Sequence, residues 1–340
     1  MTQVYIGGTC PMEIGVHNSA YSYVSTIVCP NISILDTVKQ NQQNICIPVI
    51  KVCEPKTWAV YSIPDLQVQT IVVKILEFIS RDGKKTNSLF KKVVDAGGLN
   101  AYLKYKGQVI LSPIMFDGTC SGLNIELLKT VIAGLKPAGF LTPDDATYIS
   151  RPAQAEENIE CLLEITRELV DAFPDHIIYG LVKGATVEQN LTHVQKLSEL
   201  GIRTFVIHTG DYLCKASILE IRKCLEYARA IRSHVPKLLL YGIGAKKYMK
   251  MFSFADGIIT QNHYVEPFNG VFTNDGITYR SQKATVHEED IQQTFRRIVT
   301  DWINRMTLPK AQTSLDEWLP TDMDFDMVKQ HCNSVCARCY

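Results

Sequence analysis

Short apolar runs alternate with amphipathic segments along most of the chain. Amphipathic segments with helical spacing include Asn124 to Ala133, Ala153 to Ala172 and Val187 to Leu200, and Asp65 to Ile79 carries the same spacing. The apolar runs typical of buried strands lie near residues 25, 47, 110, 140, 179, 205, 239 and 257. Eight alternating strand and helix units in roughly 250 residues predict an α/β fold, a closed (β/α)8 TIM-type barrel. A doubly wound open sheet is the alternative architecture.

The stretch from Leu238 to Thr260 shows the repeating unit most clearly. Its first apolar run ends at Tyr241 and is followed by Gly242 and Gly244, then by a helix-like segment and a second apolar run. The order strand, glycine turn, helix, strand predicts parallel neighbouring strands with loops gathered at their carboxyl ends. Glycine lets a ligand approach the backbone closely, so both glycines are candidate substrate-binding positions.

We expect two regions along the chain. The barrel is predicted to span residues 1–285, and residues 286–340 are predicted to hold a C-terminal helix, Ile291 to Met306, and a short cysteine-containing extension. No internal repeat is evident.

Composition limits the class of protein. Of the 340 residues, 46% are hydrophobic, which suffices for a buried core. Lys+Arg and Asp+Glu both number 35, which argues against binding nucleic acid through bulk charge but leaves room for a local basic groove. The sequence has neither a long apolar span nor a signal peptide, so we expect a cytoplasmic protein with no membrane partner. Its scattered cysteines are then expected to be reduced, small core residues.

Polar residues follow most of the predicted strands. In a barrel the strand carboxyl ends converge on one site, so these residues are expected to meet. Their carboxylates, amides, imidazoles and one ammonium suit acid–base or nucleophilic chemistry, although Asp117-Gly118 and Asp144-Asp145 also suit ordinary turns. His176 and His193 lie away from the strand ends and are expected to be structural. The candidates are Asp117, Cys120, Ser121, Asp144, Asp145, Lys183, His208, Thr209, Asp211, Gln261, Asn262 and His263.

Several segments between residues 97 and 275 resemble, in order and spacing, the tRNA-guanine transglycosylase superfamily. They are GGLNAYLKYKGQVIL (Gly97 to Leu111), LTPDDATYISRPAQAEENIE (Leu141 to Glu160), YGLVKG (Tyr179 to Gly184), LLLYGIG (Leu238 to Gly244) and ADGIITQNHYVEPFNGVF (Ala255 to Phe272).

The resemblance implies a barrel enzyme that replaces guanine in a polynucleotide with a 7-deazaguanine. In this family an aspartate attacks the sugar anomeric carbon, guanine leaves, and the modified base attacks the covalent intermediate, as in a retaining glycosidase. The target nucleotide must be flipped out of its stack or lie in a loop. Because the start of the chain does not resemble the tRNA enzymes, we expect the DNA-modifying branch, and DNA rather than tRNA as partner.

The resemblance also implies roles for individual residues. Asp144 matches the base-recognising aspartate, and we assign base recognition to Asp144 or Asp145. Lys183 stands where the family has a guanine-reading glutamine, and it offers only hydrogen-bond donors. The substrate-binding set is completed by Asp211, Gly242, Gly244, Asn262 and His263.

The catalytic positions depart from the family pattern. Without gaps, the family's nucleophilic aspartate falls on Ile259 and its other catalytic aspartate on Ser112. Asp117 reaches the second role only with an insertion, and Asp256 matches an earlier, usually structural, aspartate. We rank Asp117 as the leading catalytic carboxylate, Asp256 second and Asp211 third.

Two other classes of function remain open. The chain could be a non-catalytic barrel relative that binds a base or nucleic acid for a partner enzyme. It could also be an unrelated barrel enzyme that uses Lys183 as a Schiff-base lysine. A homo-oligomer or a partner subunit is compatible with either class.

The C-terminal extension contains a candidate metal site. Cys332, Cys336 and Cys339 are spaced C-x3-C-x2-C, with His331 adjacent, which suits tetrahedral structural zinc. The family carries a zinc site after its barrel, formed by three cysteines and a later histidine. The same spacing also occurs in the iron–sulfur clusters of radical enzymes, and a reduced, metal-free tail is the third alternative.

Overall fold

The computed structural model describes residues 2–3, 13–14, 46–114, 124–147, 149–213 and 217–304. The strands are β1 (Thr2–Gln3), β2 (Glu13–Ile14), β3 (Cys46–Ile50), β4 (Thr70–Lys74), β5 (Gln108–Ser112), β6 (Gly139–Leu141), β7 (Ile177–Leu181), β8 (Thr204–His208), β9 (Lys237–Tyr241), β10 (Gly257–Thr260), β11 (Val271–Asn274) and β12 (Ile277–Arg280). The α-helices are α1 (Ser88–Asp95), α2 (Leu99–Leu103), α3 (Ile125–Leu135), α4 (Pro152–Ala172), α5 (Val187–Glu199), α6 (Gly210–Leu213), α7 (Ile218–Arg232), α8 (Lys246–Met251), α9 (Asn262–Phe268) and α10 (Glu288–Asn304). Short 3-10 helices cover Pro55–Ser62 and Ile75–Glu77.

Strands β3 to β10 form a closed parallel barrel. They follow one another around the barrel in sequence order, and β10 pairs with both β9 and β3. Ile258 of β10 lies opposite Leu240 on one side and opposite Cys46 on the other, which closes the ring. The predicted (β/α)8 TIM-type barrel is therefore confirmed, and the open-sheet alternative is excluded.

The barrel strands are apolar on both faces because one face fills the interior and the other lies under the helices. The interior cluster comprises Ile47, Val49, Val72, Ile110, Ile114, Leu141, Tyr179, Leu181, Val206, Leu239, Tyr241 and Ile259. Their neighbours along each strand, such as Ile71, Phe205 and Leu240, join the outer cluster that packs against the helices. This two-residue period identifies which residues beyond the strand ends point toward the barrel axis.

The helix predicted over Asp65 to Ile79 is wrong. The segment contains strand β4, Thr70–Lys74, followed by a short 3-10 helix. A strand buried on both faces has a nearly continuous apolar run, which also satisfies the spacing of an amphipathic helix. Strand β4 brings the barrel to eight strands, whereas the predicted strand near residue 25 lies outside the described residues.

Most helix predictions are confirmed, because a helix start depends on a capping residue that bonds a backbone N–H only three positions later. Asn124 accepts a hydrogen bond from Leu127 N at 2.8 Å at the start of α3, and Thr186 accepts one from Gln189 N at 3.1 Å before α5. Ser217 caps α7 in the same way, with its Oγ accepting from Glu220 N at 3.1 Å.

The chain divides into two compact units, residues 1–38 and 39–340. In the first unit, β1 and β2 pair antiparallel, with Thr2 opposite Ile14. In the second, the barrel is followed by the antiparallel hairpin β11–β12 and by α10, which buries Phe295, Ile298 and Trp302. Across the described ranges, no helix combines the length and the apolarity needed to cross a membrane.

The described cysteines are all free thiols, but only some lie in the core. Cys46 and Cys224 are buried, as predicted for the scattered cysteines. Cys53 and Cys161 are exposed, so the core prediction is wrong for those two.

Candidate functional site at the barrel mouth

Four polar or aromatic side chains gather at the carboxyl ends of β6 to β9. They are Asp144, Lys183, His208 and Tyr241, which we call the rim cluster. His208 lies opposite Tyr241 in the strand register, and Leu181 lies opposite Val206, so Lys183 falls level with His208 two residues later. Leu181, Val206 and Tyr241 belong to the interior cluster. The two-residue period therefore turns Lys183 and His208 toward the barrel axis as well.

Asp144 and Lys183 form a buried ion pair. The Lys183 Nζ lies 2.7 Å from Asp144 Oδ1, and the two side chains are only 7% and 8% exposed. An isolated charge would be strongly destabilised at this depth, so each group depends on the other for compensation. The pair joins two of the residues that the sequence resemblance assigned to base recognition.

Buried hydrogen bonds hold the backbone that carries Lys183. His193, which is 1% exposed, accepts a hydrogen bond at Nδ1 from Lys183 N at 3.0 Å. Burial lowers the pKa of His193 to about 4, so the ring is neutral and can accept at Nδ1. Thr142 Oγ1 accepts from Leu181 N at 2.8 Å, and the Tyr227 hydroxyl donates to Ala185 O at 2.6 Å. His193 is therefore a structural residue, as predicted, and it helps to hold the backbone that carries Lys183.

At the ends of β8 and β9, the strands that follow β7 around the barrel, His208 and Tyr241 form an aromatic wall. Their ring centroids are 5.4 Å apart with an interplanar angle of 77°, an edge-to-face contact. Thr209 Oγ1 donates to Tyr241 O at 2.7 Å. Gly242 follows with φ of 99°, and its N–H donates to Ile259 O at 2.8 Å. That positive φ requires glycine, which lets the chain turn away from the wall.

Gly244 makes room for a neighbouring side chain. A β-carbon at this position would lie 2.1 Å from Asn262 Cγ and 2.3 Å from Asn262 Nδ2. The sequence interpretation assigned Gly244 to close approach of a ligand, whereas in the fold the approaching group is Asn262. The Asn262 Nδ2 donates to Glu266 Oε1 at 3.3 Å, which leaves Oδ1 as the amide's remaining polar atom.

Asp256 lies at the opposite end of the barrel from the rim cluster. It precedes β10 and binds Arg232, with 2.9 Å between Oδ1 and Nη2. Its Oδ2 accepts from Leu238 N at 2.7 Å, at the amino end of β9. The structure therefore does not bring Asp256, ranked second as catalytic carboxylate, to the barrel mouth.

Two further predicted site residues, His263 and Asp145, make their described contacts with other groups than the rim cluster. His263 is fully buried, with the Tyr264 and Phe295 ring centroids 5.1 and 5.4 Å away, so it packs toward α10. Burial lowers the pKa of His263 to about 3. Asp145 is half-buried, and its Oδ1 accepts from Ala146 N at 2.6 Å, the local contact of a turn.

Several predicted residues fall outside what the structure describes. Asp117, Cys120 and Ser121 lie in the gap between β5 and α3, and the predicted zinc ligands His331, Cys332, Cys336 and Cys339 lie beyond Asn304. The backbone of Asp211 belongs to α6, but its side chain is not described. Within the ranges that are described, no group of three or more His, Cys, Asp or Glu side chains is arranged to hold a metal ion.

The positions matched to the family's catalytic aspartates are buried and uncharged. Ser112 ends β5 and is fully buried, and Ile259 is a fully buried member of the interior cluster. Neither side chain can supply a nucleophilic carboxylate.

Sequence reasoning missed a half-buried carboxylate on this side of the barrel. Glu77 follows β4, and its Oε2 accepts from Cys53 N at 3.0 Å. Burial raises the pKa of Glu77, partly offset by backbone hydrogen bonds from Val52 and Cys53. The β-branched run Ile71 to Val73 was the available signal for the strand that precedes it.

The rim cluster thus holds a carboxylate, an ammonium and two rings at the carboxyl ends of four neighbouring strands. Such a set can bind a planar heterocycle through its polar edge and its faces. No protein-family model matches the chain, and a search of curated proteins likewise finds no match.

Proposed function

We propose that the chain is a base-exchange transglycosylase that replaces guanine in a polynucleotide, DNA in preference to tRNA, with a 7-deazaguanine. The observation that carries the proposal is the rim cluster, in which the buried pair of Asp144 and Lys183 and the aromatic wall lie at the carboxyl ends of neighbouring strands, the end that barrel enzymes use for catalysis.

The ion pair supports recognition of a base that has adjacent N–H and C=O groups. Asp144 accepts hydrogen bonds, and Lys183 donates them. Together they offer the acceptor and donor that a single glutamine would offer from its amide. Lys183 Nζ contacts Asp144, and because the ammonium carries only donors it would favour a carbonyl or another acceptor on the base. Lys183→Gln should therefore change which 7-deazaguanine is accepted, and an unchanged preference would remove Lys183 from recognition.

Catalysis is assigned to Asp117. In the first step the carboxylate attacks the sugar C1′, forming a C1′–O ester bond while the bond to guanine N9 breaks, and the departing guanine takes a proton at N9 from water. In the second step the incoming base gives its N9 proton to water, its N9 attacks C1′, and the C1′–O bond breaks to return the free carboxylate. Asp256 has no part in the proposal because its carboxylate is bound to Arg232 at the amino end.

The test compares Asp117→Asn with Asp256→Asn. Purified chain is incubated with DNA and a labelled 7-deazaguanine, and incorporation and the covalent protein–DNA adduct are measured on denaturing gels. Asp117→Asn should lose both signals by several orders of magnitude. Asp256→Asn should keep both while lowering thermal stability. Full exchange by Asp117→Asn would overturn the assignment of the nucleophile.

The burial of Ser112 and Ile259 favours a second candidate, a barrel that binds a base or polynucleotide without catalysis. The discriminating result is saturable binding of 7-deazaguanine or DNA by the wild-type chain with no incorporation into DNA or tRNA. Mass spectrometry of nucleosides from cells with and without the gene identifies the polynucleotide if exchange does occur.

A further inference from the structure

A polar network connects the barrel mouth to helix α10. Its members are Asn262, Glu266, Arg297, Asp301 and Lys246, which we call the α10 network. Arg297 Nη2 lies 2.6 Å from Glu266 Oε2, and Arg297 Nη1 lies 3.3 Å from Asp301 Oδ2. Lys246 Nζ lies 3.2 Å from Asp301 Oδ1. The Asn262 Nδ2 donates to Glu266 Oε1 at 3.3 Å, at the mouth end of the network.

The centre of this network is largely buried, and Lys246 at its exposed end balances the second of its two carboxylates. The side chains of Arg297, Glu266 and Asp301 are 10%, 13% and 11% exposed. Buried charges of this kind are often no more stabilising than apolar residues of the same volume. Helix α10 already buries Phe295, Ile298 and Trp302. The distinctive contribution of the network is therefore geometric, since it fixes where the Glu266 carboxylate points.

Glu266 in turn fixes the orientation of the Asn262 amide. A carboxylate paired with arginine only accepts hydrogen bonds, so the amide turns Nδ2 toward Glu266 and leaves Oδ1 as an acceptor. The side chain lies directly against Gly244, where a β-carbon would collide with it. Gly244 is three residues beyond Tyr241 of the rim cluster. Gly244 follows the carboxyl end of β9 and Asn262 follows that of β10, so both lie on the mouth side of the barrel.

We propose that Arg297 is a positioning residue that acts through Glu266 to hold Asn262 Oδ1 at the barrel mouth as the acceptor for an N–H group of the bound base. The class of ligand rests on the proposed function, whereas the positioning itself rests on the network. The inference gives a helix outside the barrel a part in base recognition.

A double-mutant cycle tests the coupling, with 7-deazaguanine as the probe and calorimetric titration as the measurement. Asn262→Ala should weaken binding about 3- to 10-fold, the loss expected for one hydrogen bond. Arg297→Met should weaken it to a similar extent. The double variant should be no weaker than Asn262→Ala alone, because Arg297 acts through the same side chain. Additive losses would overturn the inference.

Arg232→Met is the matched control. It removes an arginine paired with a carboxylate, Asp256, at the opposite end of the barrel. It should lower stability without changing the affinity for 7-deazaguanine. If Arg297→Met does not fold, Arg297→Lys is measured instead. It keeps the charge but loses the planar guanidinium whose two terminal nitrogens contact Glu266 and Asp301, so it should still weaken binding. Equal affinities for the Arg297 and Arg232 variants would refute the proposal.

A second measurement needs no ligand. The side-chain NH2 resonances of Asn262 are observed in chain labelled with 15N-asparagine and are assigned by their loss in Asn262→Asp. Arg297→Met should shift them, and Arg232→Met should leave them in place. If the wild-type chain binds no 7-deazaguanine, the proposed function fails, and this measurement alone decides the positioning. Unmoved Asn262 resonances in Arg297→Met would overturn it.

Discussion

Replacing Lys183 with methionine isolates the cost of the buried ion pair. The substitution keeps most of the length and volume of the side chain but removes the ammonium 2.7 Å from Asp144 Oδ1. Because the Asp144 side chain is only 8% exposed, its charge is left without compensation in a poorly solvated place. Breaking a buried pair in this way costs about 3–5 kcal/mol. Asp144→Asn/Lys183→Met removes both charges and should recover much of that loss.

Urea denaturation at neutral pH, followed by circular dichroism, measures these free energies of unfolding. The matched control is Lys196→Met, which breaks the pair of Lys196 with Glu160, where the side chains are 38% and 59% exposed. That exposed pair should be worth less than about 1 kcal/mol. If Lys183→Met costs no more than Lys196→Met, or if the double variant is as unstable as Lys183→Met, the reasoning from burial is refuted.

Three further predictions concern packing, pH and the tail. Gly244→Ala should lose about 1–3 kcal/mol of unfolding free energy, since its β-carbon would lie 2.1 Å from Asn262 Cγ and 2.4 Å from Asn262 Cβ. Gly244→Ala/Asn262→Gly removes both of those atoms and should lose less stability than the sum of the two single variants; additive losses in denaturation would contradict this. His193 and His263 have folded pKa values of about 4 and about 3, below the unfolded value, so the unfolded state binds more protons as pH falls from 7 to 5. Stability should drop by roughly 1.5–2 kcal/mol per histidine in that window, and urea curves for wild type and His193→Gln would show the variant with the weaker pH dependence. Metal analysis of the purified chain should find one zinc per chain, lost in Cys336→Ser, and a colourless wild-type sample without zinc would exclude the predicted tail site.

Local patterns in the sequence predicted the strand ends well. The runs near residues 140, 179 and 239 correspond to β6, β7 and β9, and Lys183 does follow its strand as expected. The pattern was misleading at β4, where a strand buried on both faces reads as a helix. The same error explains why Glu77 was not among the candidates, because a residue inside a predicted helix is not predicted to lie at a strand end.

The sequence by itself determined the alternation of strands and helices, and with it the barrel and the end at which its loops meet. These properties depend on periodic burial and capping, which act over a few neighbouring residues. Only the tertiary structure decided which of the candidates meet. It pairs Asp144 with Lys183, places Asp256 beside Arg232 at the far end, and sets Asn262 against Gly244. These contacts join residues from different strand–helix units, so they depend on barrel closure and register, which no local pattern encodes.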